Sequence, residues 1–99
     1  MIVEISKSNN KNKKFKAVIN GGKTIHFGHS QYQDYTTHHD SKRKELYINR
    51  HKERENWTKS GVDSPGYLSR FVLWNKPSIE ASIADLNKKY KDITFKYLS

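Results

Sequence analysis

The apolar positions of this chain fall in short runs whose period changes from two to about 3.6 and back again. Ile2 to Ile5 forms a brief apolar stretch that reads as a strand, and the polar, lysine-rich "SKSNNKNKK" after it reads as a turn. Phe15, Ala17 and Ile19 then alternate with Lys16, Val18 and Asn20, the pattern of a strand with one covered face. Gly21 and Gly22 supply positive φ at little steric cost, so "AVINGGKTIHF" predicts a hairpin with Ile25 and Phe27 inward on the returning strand. The polar stretch Gly28 to Thr37 has no helical period and is expected to be a loop. Thr37 or Asp40 can then cap a helix running from about Ser41 to Asn56.

After the break "KSGVDSPGY", Ser64 can cap and Pro65 can open a second helix. That helix carries Tyr67, Leu68, Phe71, Val72 and Trp74, the most apolar set in the chain and therefore the expected buried element. Pro77 opens a third helix, in which Ile79, Ile83, Leu86 and Tyr90 recur at helical spacing. The alternation of Ile93, Phe95 and Tyr97 predicts a closing strand that pairs with the N-terminal sheet. The fold class is therefore α+β: a small N-terminal β-hairpin or sheet, three helices and a short C-terminal strand. No internal repeat interrupts this order.

Ninety-nine residues make one compact domain, taken to span residues 1–99, because two halves of this chain could not each bury a useful core. Hydrophobic residues are only 33%, but aromatics reach 12%, so aromatic contacts are expected to carry much of the core. The absence of cysteine excludes disulfides and thiolate metal sites. No stretch approaches the roughly 20 apolar residues of a membrane-spanning helix, and the N-terminus lacks a signal-peptide core. A protein that is soluble and not secreted through a signal peptide is expected.

Charge changes the picture most. Nineteen Lys and Arg against ten Asp and Glu give a formal charge of +9, which attracts polyanions through a long-range field. On the first predicted helix, Arg43, Tyr47, Arg50 and Arg54 are spaced by four, three and four and so share one face. Such a row can pair with successive phosphates, with Tyr47 available to stack on a base or ribose. Equally, the arginines can be simply solvated while Leu46, Tyr47 and Ile48 divide the core contact. Lys13, Lys14 and Lys16 form a second basic cluster and favour contact with a polyanion.

Five histidines, His26, His29, His38, His39 and His51, lie near Asp34 and Asp40, but their spacing fits no standard ligand motif. The chain also lacks a cysteine nucleophile, a glycine-rich phosphate loop and a serine elbow. No cofactor, no metal and no enzymatic activity are expected. A metal-dependent nuclease using His38 or His51 is kept as a third possibility. Asp34, His38, Asp40, His51 and Arg70 are instead read as a hydrogen-bonded polar network tying the loop to two helices, since buried charges persist only when paired.

The strings "KTIHFG", "DYTTHHD", "RKELYINRHKERENW" and "GYLSRFVLWNKPSIEASIADL" resemble, in order and spacing, a family of small basic proteins encoded by large double-stranded DNA viruses of eukaryotes. The resemblance runs from Phe15 to about Tyr90. It implies a viral protein of the virion or infected host cell, with a role in the particle or in genome handling, and brings no activity with it. The expected function is thus a non-enzymatic, virion-associated protein whose basic surface binds nucleic acid, with viral DNA foremost. The alternative is a minor capsid or assembly protein that sets the same charge against acidic protein surfaces.

Overall fold

The computed structural model describes residues 1–98. Four strands, β1 (Ile2–Lys7), β2 (Lys13–Ile19), β3 (Lys23–His29) and β4 (Thr94–Leu98), form one sheet in the order β3-β2-β1-β4. The first three make an antiparallel meander, and β4 lies parallel to β1 with Ile2 opposite Thr94 and Ile5 opposite Tyr97. The helices are α1 (Tyr35–His38), α2 (Ser41–His51), α3 (Pro65–Leu68) and α4 (Ile79–Lys89). The α+β class and the closing strand expected from the hydrophobic pattern are both present. None of these helices is long and apolar enough to cross a membrane.

Strand alternation places Val3, Ile5, Ala17, Ile19, Ile25, Phe27 and Phe95 on the covered face of the sheet, all buried. Tyr67, Leu68, Val72 and Leu73 meet them from the α3 region, and Ile83 and Leu86 from α4. Burial of each valine, leucine, isoleucine or phenylalanine among them stabilises the fold by roughly 1.5–3 kcal/mol. Glu4, Lys16, Val18, His26 and Lys96 alternate with the core positions and line the sheet's open face.

Four local expectations change. The β2–β3 turn takes its positive φ from Asn20 (52°) and Gly21 (73°), not from the two glycines, because asparagine also tolerates the left-handed region. Thr36, Thr37 and their neighbours form α1 rather than loop, because the buried Asp34 carboxylate caps the turn by accepting the Thr36 amide at 2.9 Å. Helix α2 begins as expected, with Asp40 accepting the Lys42 and Arg43 amides, but ends at His51 instead of Asn56. Lys52 to Asn56 offers nothing apolar to bury, and the Asn56 side chain is committed to Thr58 and Ser60. Finally, the expected second helix splits. Ser64 caps α3 with Pro65 at its first position, but Ser69–Leu73 widens into a π-helical turn in which the Trp74 amide reaches the Ser69 carbonyl at 3.1 Å. Pro77 stays outside α4, which Ser78 caps by accepting the Ala81 amide.

Candidate functional site

Helix α2 presents Arg43, Leu46, Tyr47 and Arg50 to an open cleft of about 780 Å³. The end of β3 contributes His29, the segment joining β3 to α1 contributes Tyr32 and Gln33, and the π-helical turn contributes Ser69 and Leu73, with Trp74 directly after it. Single π-turns inside helices recur at functional sites. Here the turn directs both a buried leucine and a half-buried tryptophan to one recess. Gly28 also lines the recess, with φ of 78°, and a Cβ there would stand 2.7 Å from Leu73 Cδ1. Only glycine fits that position without displacing the leucine.

An aromatic chain backs the cleft. The Tyr47 ring lies parallel to Trp74, with centroids 4.3 Å apart and planes 3° from one another, and His51 sits 4.4 Å from Tyr47. His38 lies 5.2 Å from Trp74 on a tilted plane. Tyr47 is 9% exposed, and burial, followed by the Glu55 charge, pushes its phenol up to about 12, so it stays neutral. The His51 imidazole is held below its ordinary value by burial and then by Arg50 and Arg54, which makes it a neutral ring near pH 7. His38 is lowered in the same way, first by burial and then by Arg43. Its Nδ1 accepts the Asp40 amide at 2.9 Å, so the proton of the neutral ring belongs on Nε2, which is buried without a partner among the described residues.

The charges around the cleft are unequal in their freedom. Lys14 donates to Asp34 at 2.6 Å, and the pair largely neutralises itself. Asp34 is the single carboxylate lining the cleft. Arg43 holds Gln33 Oε1 by a long 3.4 Å bond, while the Arg50 guanidinium has no hydrogen bond or ion pair to the described residues. Both arginines are exposed. The cleft therefore offers two available cations on one helix face beside a wall of aromatic rings.

The structure divides the residues that spacing alone groups together. Arg43, Tyr47 and Arg50 do share the cleft, but Arg54 lies beyond the end of α2 and donates to the Arg50 carbonyl at 3.2 Å. Tyr47 is not a free platform for a base, since Trp74 already covers a face of its ring. Of the three lysines, only Lys14 lines the cleft; Lys16 pairs across the sheet with His26 on the open face, and Lys13 opens β2 opposite His29.

The expected polar network resolves into separate local contacts. Asp34 serves Lys14 and Thr36, His38 and Asp40 meet through one backbone bond, and His51 rests on Tyr47. Arg70 is half-buried near Trp57 and Phe71, donates to the Trp74 carbonyl at 2.8 Å, and has its pKa lowered by burial. Among the described residues no three His, Asp or Glu side chains gather closely enough to hold a metal ion. His29, Tyr32, Gln33 and Trp74 enter the cleft without having been singled out as site residues. An aromatic within the polar run "GHSQYQDY" is the one signal that points to Tyr32.

Residues 3–51 are similar to a family of unknown function, DUF5754. The match takes in β1 to β3, α1 and α2, and hence both cationic and loop sides of the cleft, while Ser69, Leu73 and Trp74 fall outside it. No curated protein and no solved structure matches the chain.

Proposed function

We propose that this is a non-enzymatic nucleic-acid-binding protein that grips the phosphate backbone through Arg43 and Arg50. The observation that carries this reading is the pairing of two exposed arginines, one of them without any partner among the described residues, with a cleft whose only acid is already tied to Lys14. Guanidinium groups fit phosphate in forked geometry. The net charge of +9 adds the long-range attraction that draws a polyanion to such a surface. The resemblance to small basic proteins of large DNA viruses supports viral DNA as the polyanion, and the virion or infected cell as the place.

Affinity for labelled DNA, measured by anisotropy across a salt series, tests the proposal. It should fall by orders of magnitude through the physiological range, and Arg43→Ala with Arg50→Ala should reduce the slope of log K against log salt by about two. An absence of binding to duplex and single strand alike at low salt removes this reading and leaves an acidic protein surface as the partner.

A further inference from the structure

We propose that the cleft takes an unpaired nucleobase, so that the protein engages nucleic acid at single-stranded segments; this rests on the nucleic-acid reading above. A protein that holds only phosphates needs a row of cations and nothing recessed behind them. Here Arg43 and Arg50 stand beside a cleft of about 780 Å³, within the roughly 300–1,000 Å³ of pockets that enclose small molecules. A double helix cannot enter such a space, whereas a nucleotide can.

The lining has the chemistry a base requires. Tyr32 is 69% exposed and Leu46 59%, two of the five large hydrophobic side chains left uncovered among the described residues, and both border this cleft. The other three, Met1, Ile2 and Leu98, belong to the β1–β4 end of the sheet. Tyr32 already lies 4.6 Å from the His29 ring, which props it as a flat surface on which a base can stack. Trp74 and Leu73 supply the apolar interior, and the Gln33 amide, held only by its long bond to Arg43, supplies a donor and an acceptor for a base edge.

The cations are spaced to match. Arg43 and Arg50 are seven residues apart on α2, about 10 Å along the helix axis, so they can hold the phosphates on either side of an inserted nucleotide. Stacking of this kind is tolerant of base identity, because every base has a π-face, and the site is inferred to be selective for strandedness more than for sequence.

The test compares the full chain bound to a short single-stranded oligonucleotide, to the same strand with its bases removed, and to a duplex hairpin of equal phosphate number, at one salt concentration. The intact single strand should bind roughly tenfold or more tightly than either of the others. Tyr32→Ala, at an exposed position that carries no core contact, should remove most of that preference, while Lys96→Ala on the open face of the sheet should leave the ratio unchanged. Equal affinity for intact and abasic strands, both weakened by Arg43→Ala with Arg50→Ala, overturns the base pocket and leaves phosphate binding standing. Failure of every oligonucleotide to bind overturns both.

Discussion

Gly28 shows how much of the cleft hangs on one missing methyl group. Its positive φ and the 2.7 Å approach of Leu73 Cδ1 to a would-be Cβ mean that Gly28→Ala must both strain the backbone and push the leucine out of its place. A loss of about 1–3 kcal/mol is expected, read as a lower urea midpoint with an unchanged m-value. Because Leu73 lines the cleft, the same substitution should also weaken ligand binding beyond its cost to stability. The helical row Arg43, Tyr47, Arg50 is readable from spacing alone, and the cleft does border it. Spacing does not carry exposure: Tyr47 occupies the row yet faces inward, because Trp74, far along the chain, arrives parallel to its ring. Lys14 is likewise identifiable as a cation but not as half of an ion pair, since Asp34 reaches it only through the chain reversal after β3.

At the level of elements, the capping residues Asp40, Ser64 and Pro65 are legible because their effect is local, acting within one helical turn. The shortening of α2 and the π-turn after α3 are not, as both follow from which side chains find burial in the assembled core. The sheet edge holds a further device of this kind. From α4, the Asn87 side chain accepts the Phe95 amide at 2.8 Å and donates to the Phe95 carbonyl at 2.9 Å, imitating a neighbouring strand along the outer rim of β4. An unpaired rim invites pairing with another chain, and here a side-chain amide occupies it. Asn87→Ala should cost roughly 1–2 kcal/mol in chemical denaturation and produce concentration-dependent self-association by light scattering. Asn87→Asp, which keeps the acceptor and loses the donor, should fall between the two; a variant as stable and monodisperse as the parent would show that the rim needs no cover.

For the whole molecule, the charge of +9 acts on folding and on binding with opposite signs. Self-repulsion of the cations opposes the compact state, whereas attraction for phosphates drives association, and added salt screens both. The melting temperature of the free protein should therefore rise by a few degrees between low salt and physiological salt, over the range in which affinity for DNA declines. A melting temperature that falls with salt would mean that the ion pairs Lys14–Asp34, Lys23–Asp63 and Lys59–Asp92 outweigh the net repulsion. The α+β class follows from the changing period of the apolar positions. The neighbour of each strand does not, since the alternation of Ile93, Phe95 and Tyr97 tells which face is covered but not that β4 lies parallel against β1. That pairing joins the strands most distant in sequence, with Ile2 opposite Thr94. On the ribosome, β1, β2 and β3 therefore emerge together while one flank of β1 stays vacant until residues 94–98 have been translated. Until then the backbone N–H and C=O groups along that flank of β1 have no strand partner, and a nascent chain stalled before that point carries an open edge of the kind that invites pairing with another chain.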